Sequence, residues 1–280
     1  MGQIPSVKLV DSTFAPNNSV SLAGENIYEK PKTMEWDRTP GDADIKVFTD
    51  LRLREAVDDP AKKKIAWLVE SPAYSKQAYE DIRELEDVFD HILTFSSDIW
   101  KPNPHGKYLF YALGGSWINE RKVFYKNELV SMIVGKKQDT VGQQLRHEIA
   151  EMYKKEVVLF GEPYTDYIPT KASALRNFCF SIVVENEYHR SYFTEKLIDC
   201  MSQGTIPIYW GCPDSFTFFD DKGIVGFRTA DQIGEILDKI SFDTYRGLEH
   251  YAKGNFTRSE NFRIAEDWIM EHHPGLFTEL

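Results

Sequence analysis

Residues 181–212 read SIVVENEYHRSYFTEKLIDCMSQGTIPIYWGC, two strongly apolar ends around a crowd of charge. The ends belong to the runs FCFSIVV (178–184) and TIPIYWG (205–211), which are apolar almost throughout. Strands of that composition are buried on both faces, as in parallel sheets covered by helices. Between them Glu185, Asn186, Glu187, His189 and Arg190 follow a strand end, and Glu195 and Lys196 open a helix expected from about Thr194 to Gln203 and closed by Gly204. In open α/β sheets, ligands sit beyond the carboxyl ends of the strands, where unpaired N–H groups at helix N-termini favour an anion. Lys196 is the informative residue, because a cation in the first turn opposes the helix dipole and an anionic ligand would compensate it. The competing reading is that Glu185, Glu187, Arg190, Glu195 and Lys196 pair among themselves on a solvated surface. On the residues alone both stay open.

Outward from this stretch the same alternation continues. Upstream, Leu129–Gly135 reads as a strand, Thr140–Lys154 as a helix and EVVLFG (156–161) as a strand. Further back, IKVF (45–48), KKIAWLVES (63–71) and HILTF (91–95) read as strands, with an amphipathic helix over Ser75–Val88. Two α/β lobes follow: an irregular Pro-, Gly- and Asn-dotted lead-in over 1–44, a first lobe over 45–125, a second over 126–258, and a C-terminal helix and tail over 259–280, its helix spanning Ser259–His273. A chain of 280 residues has room for two domains of roughly 150 residues.

The bulk composition excludes several classes. With 42% hydrophobic and 28% charged residues the chain is globular, and a net charge of −11 disfavours a general nucleic-acid or anionic-membrane surface. An anionic ligand therefore needs a dedicated cationic cluster. The three cysteines, Cys179, Cys200 and Cys212, lie in apolar surroundings without CxxC or His pairing and read as buried thiols, which suits a reducing, cytoplasmic setting. No apolar stretch has the length of a membrane span, and the start MGQIPS fits the loose N-myristoylation pattern at Gly2.

The run ENEYHRSYFTEKLIDCMSQGTIPIYWG (185–211) resembles the signature of the α1,3/4-fucosyltransferases, glycosyltransferase family 10, with Glu185, Asn186, Tyr192, Thr194, Glu195, Lys196, Pro207 and Gly211 in place. Two weaker matches extend it. SMIVGKKQDTVGQQLRHEIAEMY (131–153) is similar to the segment whose helix carries a donor-phosphate arginine, here Arg146, and WLVESPAY (67–74) is similar to the acceptor-lobe element that puts Glu70 at the position of the general base. Without the resemblance, Arg146 reads as part of a solvated helix face and Glu70 as a strand-end carboxylate before a Ser-Pro turn. The segment before the Glu185–Asn186 pair, and Glu187 after it, depart from the pattern. The chain also shows neither the membrane anchor of Golgi members nor the heptad repeats of some bacterial ones. Small soluble bacterial or algal-virus members are therefore the nearest type, and there the transferred sugar need not be fucose.

What the resemblance implies is a GT-B fold, two Rossmann-like lobes facing across a cleft, and inverting sugar transfer from GDP-fucose, or from a donor such as UDP-xylose, to a glycan hydroxyl. In that scheme Glu70 takes the acceptor proton, Arg146 and Lys196 stabilise the leaving diphosphate, Glu195 and Asn186 hold donor hydroxyls, and Tyr192 shapes the pocket. No metal is expected. Asp42-Ala43-Asp44 precedes a strand rather than ending one and reads as a polar turn, and Phe218-Phe219-Asp220-Asp221 is equally ambiguous. The alternative from another class is a non-catalytic glycan- or nucleotide-binding module, its 14% aromatic content serving sugar stacking.

Overall fold

A computed structural model describes residues 6–11, 17–100, 106–162, 164 and 170–280. The chain divides into two compact units, one of Met1–Leu22, Ile27–Leu113 and Ile264–Leu280, the other of Ala23–Asn26 and Gly114–Arg263. Gly2 lies outside the described residues.

The first unit is built on six strands, β1 (Ser6–Val10), β2 (Glu35–Asp37), β3 (Ile45–Thr49), β4 (Lys63–Trp67), β5 (His91–Leu93) and β6 (Tyr108–Leu109), in the order β2-β1-β3-β4-β5-β6. Every pairing is parallel. Val47 faces Ile65 and Phe48 faces Ala66, all four fully buried, and helix α1 (Lys76–Leu85) covers this sheet with Ala78, Tyr79 and Ile82. Because β1 has β2 on one side and β3 on the other, the strand order reverses between β1 and β3.

The second unit repeats that plan with β7 (Glu128–Ile133), β8 (Val158–Phe160), β9 (Phe178–Val184), β10 (Ile206–Trp210) and β11 (Val225–Gly226), ordered β11-β10-β9-β7-β8 and again parallel throughout. All seven residues of β9 and all five of β10 are buried, the reason their sequences show no polar alternation. Helices α2 (Val141–Tyr153), α3 (Glu195–Ser202), α4 (Asp231–Leu237) and α5 (Phe242–Ser259) accompany it. Two parallel-sheet α/β units of the GT-B type are thus present.

Four details differ from the sequence reading. The lead-in over 1–44 is not irregular throughout, since Ser6–Val10 is an interior strand; Lys8 interrupts its apolar run, but the side chain is buried, its Nζ neutralised by Asp37 at 2.7 Å and donating to Thr39 O at 2.8 Å. The crossing between units falls at 113/114 rather than 125/126, because the segment after Gly114 is tied to α3: Asp199 Oδ1 accepts from Ser116 Oγ and the N–H groups of Trp117 and Ile118. Helices α4 and α5 went unread. Gly247, Gly254 and several aromatic and β-branched residues give α5 weak propensity, and it is secured instead by the Ser241 cap and by burial of Tyr245 and Ala252.

The fourth concerns the C-terminus. In place of one helix over Ser259–His273, α5 ends at Ser259, a 3₁₀ turn spans Glu260–Phe262, and a separate α6 (Ala265–His272) belongs to the first unit. Glu266, fully buried, fixes it there by accepting from Ser19 Oγ at 2.7 Å, Val20 N at 2.5 Å and Trp36 Nε1 at 2.8 Å. Partners more than 200 residues away leave no local trace in the sequence.

Candidate functional site

In the second unit the strand order reverses between β7 and β9, and the loops after these strands flank the place where open α/β sheets take their ligands. Helix α2 starts there on a reciprocal cap: Thr140 Oγ1 accepts from Gln143 N, and Gln143 Oε1 accepts from Thr140 N. Its first turn lies almost on the end of β9. Gly142 N donates to Asn186 O at 3.1 Å, and a Cβ at position 142 would stand 1.8 Å from Glu185 O, so only glycine fits. One turn on, Arg146 donates from Nε to Val184 O at 2.9 Å and from Nη2 to Asn186 Oδ1 at 2.8 Å. Burial pulls the guanidinium pKa down, opposed by the fields of Glu185 and Glu195.

Helix α3 begins at the other side of the same loop. Thr194 caps it, its Oγ1 accepting from Lys196 N, and Glu185 holds the cap in turn, accepting from Thr194 N at 2.9 Å and Thr194 Oγ1 at 2.7 Å. Lys196 Nζ lies 3.0 Å from Thr194 Oγ1, 3.5 Å from Glu185 and 3.4 Å from Glu195. Glu185 is fully buried and Glu195 shows only 12% of its side chain. The solvated-surface reading therefore does not hold as put. Glu185, Glu195 and Lys196 do pair among themselves, but around buried carboxylates, where desolvation makes each partner count, whereas Arg190 is exposed and lies 3.6 Å from Asp214. Lys196 is already compensated by two carboxylates, with which an incoming anion has to compete. Tyr192 is wholly buried, its carbonyl accepting from Tyr209 OH at 3.5 Å, and so forms part of the wall behind the loop.

Sequence reasoning missed Lys171 and Asp199 and left Glu185 without a structural role. Lys171 Nζ reaches Glu195 at 3.1 Å and Asp199 at 3.6 Å and sits 3.7 Å above the Trp117 ring. Burial would raise the Glu195 carboxyl; Lys171 and Lys196 outweigh it and hold the group well below the usual carboxylate range. Asp199 goes the other way. Burial pushes it up to about 6, Lys171 pulling it down and Glu195 adding to the rise. Asp199 could have been found at i+4 from Glu195, on the same helix face; nothing in the residues around Lys171 announces it.

The loop between β9 and α3 is further pinned by Asp214, which accepts from Ser191 N at 2.7 Å, where Ser191 stands at φ 58, and by Gly211 O, which accepts from His189 N. A Cβ on Gly211 would fall 2.4 Å from Glu185 Cγ. Phe193, Phe218, Phe219 and Phe262 stack edge to face behind it, so the Phe218–Phe219 pair is core, while Asp220 caps the turn at Lys222.

Glu70 belongs to the first unit, three residues past the end of β4 and half-buried; Arg146, Asn186, Tyr192, Glu195 and Lys196 are brought together in the second. Asp42 and Asp44 are exposed and paired with Lys46 at 3.9 Å and Lys62 at 3.1 Å. The three cysteines are free and buried. Among the described residues no helix is long and apolar enough to cross a membrane.

Residues 123–253 match the family model of the glycosyltransferase family 10 (fucosyltransferase) C-terminal domain. The α-(1,3)-fucosyltransferase FucT of Helicobacter pylori is 33% identical over 75 residues, which span 27% of this chain and 16% of that protein. Among solved structures, a crystal structure of an α1,3-fucosyltransferase aligns at TM-score 0.58 and 14% identity over 98% of this chain and 92% of its own. TarM of S. aureus, in a complex that includes UDP, aligns at TM-score 0.55 and 14% identity over 84% of this chain and 55% of its own. The resemblance carried by residues 185–211 is borne out: they fall within the stretch that matches the family 10 model, and the fold is that of the α1,3-fucosyltransferase structure.

Proposed function

We propose that the protein is an inverting glycosyltransferase that moves a sugar from a nucleoside-diphosphate donor to a hydroxyl of a glycan acceptor. The observation that carries this reading is the joint fixing of Arg146 and Asn186 on α2 and the β9 end, and of Glu195 and Lys196 on α3, around the reversal point of one parallel sheet. Arg146 and Lys196 supply the positive field for charge growing on the leaving diphosphate. Glu195, kept ionised by Lys171 and Lys196, and Asn186 accept from donor hydroxyls, with Tyr192 backing the pocket. Glu70 takes the proton of the acceptor hydroxyl as it attacks the anomeric carbon from the face opposite the departing diphosphate. Positive side chains then do the work that a divalent cation does elsewhere, so turnover is expected to persist in excess EDTA.

Similar α1,3-fucosyltransferase structures contain GDP and GDP-fucose, and the TarM complex contains UDP. GDP-fucose is accordingly the first donor to test and UDP-xylose the second. A ligand that binds only the folded chain stabilises it by about 2.7 kcal/mol at a hundred times its Kd. In a thermal-shift panel of GDP, UDP, CMP and dTDP, one clear responder is expected, GDP or UDP. No response from folded protein to any of the four overturns the transferase reading and leaves a glycan-binding module in its place.

A further inference from the structure

In the first unit, the backbone that carries Glu70 is held by buried side chains. Asp50 accepts from Val69 N through Oδ1 at 3.0 Å and from Glu70 N through Oδ2 at 3.3 Å. Tyr111 donates its hydroxyl to Leu68 O at 2.7 Å and Tyr79 donates to Glu70 O at 3.1 Å. Asp50 and Tyr79 are 1% exposed and Tyr111 not at all. Sheet pairing does not require this, since β4 has already ended at Trp67. Asp50 also stands at φ 25, in the region that favours glycine, and strain of that kind persists where surrounding contacts over-determine it. Asp11, Asp50 and Glu70 follow β1, β3 and β4, at the carboxyl edge beside the reversal of strand order.

We propose that Asp50 is a positioning residue for the transfer reaction: by accepting both N–H groups of the Val69–Glu70 link it fixes the direction in which Glu70 presents its carboxylate to the acceptor hydroxyl. The inference rests on the role of Glu70 as the base. It has an electrostatic side as well. Burial first, then the charge of Glu70 and that of Asp11, drive the Asp50 pKa well above the usual range, and Asp50 in turn helps to raise that of Tyr111. Asp11 is itself flanked by Arg38 at 3.7 Å and Thr49 Oγ1 at 2.9 Å, and its carbonyl accepts from Arg52. The Asp50 and Glu70 carboxyl groups are thus coupled, so a change at Asp50 alters the pH dependence of a step that Glu70 performs.

The test measures release of GDP from GDP-fucose, and of UDP from UDP-xylose, with and without disaccharide acceptors, for Asp50→Ala, Asp50→Asn, Glu70→Gln and Asp50→Ala combined with Glu70→Gln. Asp50→Ala is expected to lower kcat per folded molecule on the order of a hundredfold with donor KM unchanged, the scale of a misplaced reacting group. Asp50→Asn, with one acceptor oxygen left, recovers to within about tenfold and shifts the pH profile, because the coupled carboxyl is gone. In the Glu70→Gln background Asp50→Ala has no further effect, because the two act as one unit. Full kcat in folded Asp50→Ala with only a lower Tm, or a multiplicative loss in the Glu70→Gln background, overturns the inference while leaving the base intact. If Asp50→Ala does not fold, unchanged kcat and pH profile in Asp50→Asn overturn it. Wild-type kcat in Glu70→Gln, or turnover of neither nucleotide-sugar by the wild-type protein, overturns the underlying reading and this inference with it.

Discussion

The two units share a strand order, β2-β1-β3-β4-β5 in one and β8-β7-β9-β10-β11 in the other, yet put opposite chemistry at the reversal point. After β1, β3 and β4 come Asp11, Asp50 and Glu70, while around β9 lie Arg146, Lys171 and Lys196 with Glu185, Glu195 and Asp199. Asp50 and Glu195 show what the difference does. Both are carboxylates that burial pushes towards the neutral form, but at Asp50 the charge of Glu70 adds to that push, whereas at Glu195 two lysines reverse it. Burial is common to both and the neighbours decide the sign. On the proposed reading, one backbone plan supports a unit that handles a proton and a unit that holds a diphosphate.

The largest expected effect tests that division of labour. Glu70→Gln should lower kcat by about a thousandfold while donor affinity stays within a factor of a few, since the base acts on the acceptor hydroxyl and not on the diphosphate. Equal loss of nucleotide binding by calorimetry would assign Glu70 to the donor instead. Next in size, Lys196→Ala should lower turnover by roughly two to three orders of magnitude and abolish the thermal shift produced by the nucleotide. Near-wild-type activity in both Lys196→Ala and Arg146→Ala would mean that the second unit's cations serve only to balance its buried carboxylates.

Smaller effects sharpen the comparison. Gly211→Ala drives a methyl into Glu185, the residue that holds the α3 cap, and should destabilise the protein by roughly 1–3 kcal/mol. Nucleotide affinity should fall with it; a lower Tm with donor binding intact would separate the cap from the site. The smallest effect concerns Asp199, whose folded-state pKa of about 6 lies above the unfolded value of 3.8. Its contribution to stability is therefore full below about pH 3.8 and is lost as pH rises through about 6. Asp199→Asn lacks that loss, so its Tm relative to wild type should climb by several degrees between pH 4 and pH 7. Parallel Tm–pH curves for the two proteins would place the pH sensitivity elsewhere.

Sequence by itself determined the parts whose information is local. The near-continuous apolar runs of β9 and β10 imposed a parallel, doubly covered sheet, Thr194 and Gly204 bounded α3, and the family resemblance of residues 185–211 singled out Asn186, Tyr192, Glu195 and Lys196 as candidates. Tertiary structure alone decided the rest. Lys8 is an interior strand residue because Asp37 neutralises it and Thr39 O accepts from it, α6 joins the first unit because Glu266 collects donors from Ser19, Val20 and Trp36, and Lys171 reaches Glu195 across 24 residues of sequence. The physical reason is the range of each interaction. Hydrophobic period and capping act within a few residues and can be read in order along the chain, whereas the ionisation of a buried carboxylate depends on which charges the fold delivers to within a few ångströms, and no local pattern records that.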